Sequence, residues 1–83
     1  MISSADHSLA AHLKQLLTEK AEIVDFRVFG SRARGDATDD SDLDVYIEVD
    51  GLDRTLQKQL ANIIWDCSID AGVVISPLFY ESD

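Results

Sequence analysis

One segment of the sequence alternates strictly between two kinds of residue, and this alternation limits the folds open to the chain. The apolar positions are Leu43, Val45, Ile47 and Val49, and the residues on the other side are Asp42, Asp44, Tyr46 and Glu48. Because successive side chains of a β-strand point to opposite faces, the pattern predicts a strand that is apolar on one face only. Such a strand packs one face on a core and leaves the other face toward water.

The segments around this strand predict two helices and two more strands. Leucines at helical spacing predict a helix from about residue 6 to about residue 20, and Asp53 caps a second predicted helix from about 53 to about 68. The β-branched and aromatic run 23–29 predicts a strand, and the run 73–75 predicts another that Pro77 ends or places at an edge. The polar stretch 31–41 predicts a short helical turn and a loop. We therefore expect an α/β domain, a small mixed sheet of about three strands with helices packed on it.

Length and charge restrict the partners. The chain has 83 residues, of which 46% are hydrophobic and 28% charged, as expected for one small globular domain. Its 7 basic residues against 16 acidic ones give a net charge of -9, which disfavours DNA or RNA as a polymeric substrate. A core of this size is thin, so binding to a protein partner or to further copies would stabilise it.

The sequence also predicts where the protein resides. The single cysteine, Cys67, cannot form an internal disulfide. We find neither a signal-peptide start nor an apolar run long enough to span a bilayer. These features predict a cytoplasmic protein that does not associate with a membrane.

Two groups of residues with chemical potential lie close together in the sequence. At Gly30 and Ser31 the backbone can approach a phosphate closely, and the N–H groups of a following turn and the serine hydroxyl can donate to it. Asp42 and Asp44 would project from one face of the strand, with their Cα atoms about 6.5 to 7 Å apart. This spacing lets both carboxylates reach one magnesium ion. Together they favour metal-assisted nucleotidyl transfer, although two acids on a strand can also be a solvated face.

Two arginines follow the serine, and their role is open at this point. Arg32 and Arg34 add positive charge beside the turn. Contact with a phosphate and pairing with an acid of the loop 36–40 are the alternatives. The two stand level for Arg32, which we count among the nucleotide-binding candidates, and pairing is the stronger expectation for Arg34. His7 and His12, on the first helix, are expected to be exposed.

The segments 29–35 and 41–45 resemble the signature of the minimal nucleotidyltransferases of the DNA polymerase β-like superfamily. The resemblance implies a nucleotidyltransferase-like core in which Gly30 and Ser31 bind the triphosphate of a nucleotide, ATP above all, next to Arg32. It implies that Asp42 and Asp44 hold the catalytic Mg²⁺.

The same resemblance implies a third acid on the strand beside the Asp-x-Asp strand. The expected place falls near Ala71 or Gly72, and Asp70 is the nearest acid. Asp70 would be the third metal ligand and a catalytic residue if that strand began earlier than the apolar run indicates. Members of the family often continue into one more helix, so the resemblance implies one domain over 1–83 that is truncated at its C-terminus.

The resemblance further implies transfer of AMP to an acceptor hydroxyl, on a small helical HEPN-type partner in a toxin–antitoxin pair. The alternative is a catalytically impaired nucleotide-binding or antitoxin subunit that acts by protein–protein contact. The feature that separates the two is whether Asp70 reaches Asp42 and Asp44. A small-molecule nucleotidyltransferase shares the motif but normally needs a second domain to hold its acceptor.

Overall fold

The computed structural model describes residues 2–35, 38 and 40–82, and it contains the predicted elements in the predicted order. The helices are α1 (Ser4–Thr18), α2 (Ser31–Arg34) and α3 (Arg54–Ala71), and the strands are β1 (Glu22–Phe29), β2 (Leu43–Asp50) and β3 (Ile75–Ser82). The strands form one sheet in the order β1-β2-β3, with β1 antiparallel and β3 parallel to β2. The predicted small mixed α/β sheet with helices packed on it is therefore confirmed.

The two long helices begin at side chains that cap them. The hydroxyl of Ser3 accepts a hydrogen bond from the backbone N–H of Asp6 at 3.1 Å. The carboxylate of Asp53 accepts one from the backbone N–H of Leu56 at 2.7 Å, as the sequence predicted. These bonds satisfy N–H groups that the first turn of a helix leaves without partners.

The C-terminal third of the chain departs from the predicted boundaries. Helix α3 continues to Ala71, three residues beyond the predicted end, and stops where Gly72 adopts a left-handed conformation with φ 68°. Gly72 is a typical helix-ending glycine, and it marks this boundary better than the apolar periodicity does. Strand β3 starts only at Ile75 and contains Pro77, which an edge strand tolerates because one of its sides makes no ladder bonds.

The helices α1 and α3 pack on one face of the sheet, which we call the covered face. On β2 this face consists of Leu43, Val45, Ile47 and Val49, and all four are fully buried. The rest of the core comes from both helices and the start of β3, namely Leu13, Leu17, Leu60, Ile64, Cys67 and Ile75. Within the described residues, no helix is both long and apolar enough to cross a membrane.

Candidate active site

The opposite side of the sheet, which we call the open face, carries three rows of side chains. Each row is a set of register partners on β1, β2 and β3, so its members point the same way. The rows are Phe29, Asp44 and Ser76; Arg27, Tyr46 and Leu78; and Asp25, Glu48 and Tyr80. The first row lies at the end of β1 and at the starts of β2 and β3, and it contains one of the predicted metal ligands.

Gly30 follows this first row and packs directly against Asp44. Its φ of 83° and ψ of -160° lie in a region that essentially only glycine occupies. A Cβ atom at Gly30 would overlap the Oδ2 atom of Asp44. The glycine is therefore needed twice, for the turn into α2 and for the space that the carboxylate fills.

Asp42 lies just before β2 and is held from the neighbouring strand. The hydroxyl of Ser76 donates a hydrogen bond of 3.0 Å to its Oδ2 atom. Since Ser76 is also the register partner of Asp44, this serine links both predicted metal ligands. The sequence analysis missed Ser76 because its position follows from the parallel register of β2 and β3, which the sequence does not reveal.

Asp70 is not brought to this site. It lies in the last turn of α3, and its side chain lines a hollow of about 250 Å³ beside His12 and Cys67. Burial raises the pKa of the Cys67 thiol, and the charges of Asp70 and Asp66 raise it further. The strand on which Asp70 would have served starts five residues later, because Gly72 ends the helix first.

The described part of the chain accordingly contains no group of three or more His, Cys, Asp or Glu side chains arranged to hold a metal ion. Asp42 and Asp44 both lie beside Ser76, Asp42 through its hydrogen bond and Asp44 as its register partner. Magnesium is commonly held by one or two carboxylates together with substrate phosphates, so this donor set fits the ion.

Arg32 binds protein groups at the edge of the site. Its Nη1 atom lies 2.9 Å from Oδ1 and 3.1 Å from Oδ2 of Asp6, and its Nε atom donates to the backbone carbonyl of Ser41 at 2.7 Å. The side chains of Arg32 and Asp6 are only 11% and 8% exposed. These contacts connect the first turn of α1 to α2 and to the residue before Asp42.

The pairing with Asp6 was not among the partners that the sequence suggested for Arg32. Arg32 pairs with Asp6 on α1. The sequence suggested a phosphate or an acid of the loop 36–40, in which residues 36, 37 and 39 lie outside the described residues, and the phosphate contact stays a prediction. Asp6 is the one buried charged residue among those described. A contact across 26 positions leaves no periodic signal in the sequence. The sequence therefore indicated only that Asp6 lies near the start of a helix.

Residues from all three rows of the open face line a groove next to Asp44. The groove has a volume of about 440 Å³ and is lined by Asp25, Arg27, Phe29, Tyr46 and Leu78. The hydroxyl of Tyr46 donates to Oε1 of Glu48 at 2.8 Å, and its ring centre lies 5.1 Å from that of Tyr80. The bond to Glu48 is the main cause that raises the pKa of Tyr46, followed by desolvation and by nearby negative charge.

Comparison with known proteins adds one finding to this geometry. A family model described as "Nucleotidyltransferase domain" matches residues 9–75. The match covers most of the chain and includes Gly30, Ser31, Asp42 and Asp44. No curated protein and no solved structure shows a significant match.

Proposed function

Because the chain belongs to the nucleotidyltransferase domain family, we propose that it binds a nucleoside triphosphate with Mg²⁺ and transfers a nucleoside monophosphate to an acceptor hydroxyl. ATP is the proposed donor and AMP the group transferred. Nucleotidyltransferase domains in general act on a nucleotide substrate and use divalent metal ions. The observation that carries the proposal is the packing of Gly30 on the Asp44 carboxylate, since it sets the glycine-serine turn against the acid pair.

Each site residue has a distinct part in this proposal. Gly30 and Ser31 bind the phosphates through backbone N–H groups and the serine hydroxyl, at the start of α2. Asp42 and Asp44 hold the Mg²⁺, which supplies positive charge that offsets the phosphate charge. The acceptor hydroxyl loses its proton to solvent, its oxygen forms a bond to the α-phosphorus, and the bond between the α-phosphorus and the bridging oxygen breaks to release pyrophosphate.

Arg32 takes part mainly by positioning in this proposal. Its guanidinium holds the carbonyl of Ser41, the residue directly before Asp42, and it is itself fixed by Asp6. The turn that binds phosphate and the segment that carries the first carboxylate are thereby held to one another. Close positioning of this kind matters because small displacements of reacting groups reduce transfer rates strongly.

A protein is the acceptor that we propose, with a helical HEPN-type partner in a toxin–antitoxin pair as the specific case and a homo-oligomer as the alternative assembly. Support comes from α3, where Trp65 and Ile69 are 65% and 60% exposed and lie one turn apart. Adjacent exposed apolar side chains are typical of a surface that contacts another protein. Trp65 is the chain's one tryptophan, so its fluorescence can report partner binding.

A second candidate function is a nucleotide-binding or antitoxin subunit that does not catalyse transfer. The observation that favours it is the position of Asp70 on α3, together with the lack of a three-acid group among the described residues. Such a subunit would bind ATP with magnesium through the same turn and carboxylates, and it would act by contact with its partner.

The experiment uses ATP labelled at the α-phosphate, magnesium, the purified protein and either a candidate helical protein or a lysate. Label should move to a protein with the natural chain and not with Asp44→Asn. Asp50→Asn is the matched control, because it removes the same charge from the far end of the same strand. It should transfer label normally.

The outcomes separate the two functions. Nucleotide binding that Asp44→Asn weakens, without any label transfer, would favour the non-catalytic subunit. A chain that neither binds ATP nor transfers label would refute both. Loss of label transfer in both variants would show that transfer depends on the overall negative charge of the chain and not on Asp44 in particular.

A further inference from the structure

Ser76 occupies a distinctive place on the open face. It is the register partner of Asp44 on the parallel strand β3, and its hydroxyl donates to Oδ2 of Asp42 at 3.0 Å. The backbone around it is fixed, because the N–H of Leu43 donates to the carbonyl of Val74 at 2.8 Å where the two strands begin. Ser76 therefore binds the carboxylate of Asp42 through its hydroxyl and stands level with Asp44 in the sheet.

Asp42 depends on such a contact more than Asp44 does. Asp44 is within β2, and its carboxylate fits the space left by Gly30. Asp42 precedes the strand and is exposed, so neither the ladder nor core packing restricts its side chain. A hydrogen bond from a neighbouring strand is what selects one orientation of this carboxylate.

We propose that Ser76 is a positioning residue of the candidate metal site, which fixes the Asp42 carboxylate beside Asp44 so that both can bind one divalent cation. The inference rests on the proposed function, because it assigns a role within the same site. Partners that orient metal-binding side chains are generally required for full affinity. As a neutral donor, Ser76 engages Oδ2 of Asp42 and adds no charge to the pair.

The geometry also predicts a gain from one substitution. A carboxylate at position 76 would stand level with Asp44 and close to Asp42, which would give the cation a third acidic ligand. Affinity for hard divalent ions rises with the number of charged ligands. Leu78 lies on the same strand and face, one row further from the site, and provides a control for charge alone.

The test measures binding of Mn²⁺ alone to the full chain, by the electron paramagnetic resonance signal of the free ion. Ser76→Ala should weaken binding about tenfold, and Ser76→Thr, which keeps a hydroxyl, should bind as the natural chain does. Ser76→Asp should tighten binding about tenfold, whereas Leu78→Asp should change it much less. Circular dichroism of each variant checks that the fold is retained.

Asp44→Asn, measured in the same way, separates the existence of the metal site from the role of Ser76 within it. If Asp44→Asn reduces binding but Ser76→Ala does not, the metal site stands and the role of Ser76 is refuted. Equal gains in Mn²⁺ affinity from Ser76→Asp and Leu78→Asp would also refute it, because a carboxylate at position 76 would then act no differently from one elsewhere on the strand. If Asp44→Asn leaves Mn²⁺ binding unchanged, the proposed function itself loses its metal site.

Discussion

The two faces of strand β2 make different contributions to the molecule. On the covered face four aliphatic side chains are fully buried under α1 and α3. On the open face Asp44, Tyr46 and Glu48 are partly exposed and polar. Under the proposed function, residues adjacent in sequence serve stability and chemistry separately, and substitutions one position apart should separate the two properties.

The largest effect should come from the covered face. Ile47→Ala removes most of a fully buried side chain from the centre of the core, and we expect the free energy of unfolding to fall by about 4 kcal/mol. Urea denaturation followed by circular dichroism measures this value. Asp44→Asn, on the open face, should change the free energy of unfolding by less than about 1 kcal/mol. Similar losses in the two variants would contradict the division between the faces.

A somewhat smaller loss is expected where the two faces meet at the edge of the sheet. Arg32→Met leaves the carboxylate of Asp6 largely buried without the Nη1 donor that binds both of its oxygens, and we expect a loss of about 3 kcal/mol in the free energy of unfolding. The double variant Asp6→Asn, Arg32→Met removes that unpaired charge and should recover part of the loss. A double variant less stable than Arg32→Met would show that the ion pair is not the cause.

The same variant tests whether the edge contributes to the site. Because Arg32 also holds the carbonyl before Asp42, Mn²⁺ binding should weaken in Arg32→Met. The double variant should not recover this binding, since the bond to Ser41 is still missing. Recovery of both properties together would mean that Arg32 acts only through Asp6.

The fold was predictable from the sequence wherever a pattern is local. The alternation at 42–49 predicted both faces of β2, and Asp53 predicted the start of α3. The end of α3 was predicted too early, because the apolar stripe stops before the helix does and Gly72 sets the actual end. The late start of β3 follows from this, and it leaves Asp70 on a helix.

The candidate site was predictable only in part, for a related reason. Gly30, Ser31, Asp42 and Asp44 lie in segments whose spacing along the chain already suggests their chemistry. The contacts of Asp6 with Arg32 and of Ser76 with Asp42 span 26 and 34 positions. Contacts of that separation depend on strand register and helix packing, which become visible only in the folded chain.

Gly30 and Gly51 allow a sharper comparison, because both have positive φ but only one borders the site. At Gly30 a new Cβ would overlap Asp44, whereas at Gly51 it would meet nothing within 4 Å. Gly30→Ala should lower the free energy of unfolding by about 2 kcal/mol and reduce Mn²⁺ binding. Gly51→Ala should lower it by about 1 kcal/mol through backbone strain alone and leave Mn²⁺ binding intact. Reduced Mn²⁺ binding in both would refute the specific role of Gly30.

The smallest effect should come from Tyr46, in the middle row of the open face. Its hydrogen bond to Glu48 is the largest cause of its raised pKa, so Glu48→Gln should lower that pKa. Tyrosinate absorbance followed during a pH titration measures the change, and a Tyr80→Phe background leaves Tyr46 as the one tyrosine.

The raised pKa of Tyr46 also fixes how this bond contributes to stability at different pH. A proton bound more tightly in the folded chain stabilises it below the ordinary tyrosine value of 10.0, and the contribution is lost as the pH rises through the higher folded pKa. Glu48→Gln should therefore weaken the pH dependence of stability in the alkaline range, whereas the slope of stability against pH near neutrality should not change. An unchanged titration in Glu48→Gln would mean that desolvation, and not the carboxylate, raises this pKa. Burial would then determine the properties of Tyr46, as it does those of the side chains on the covered face. The contrast between the two faces would be limited to the row that contains Asp44.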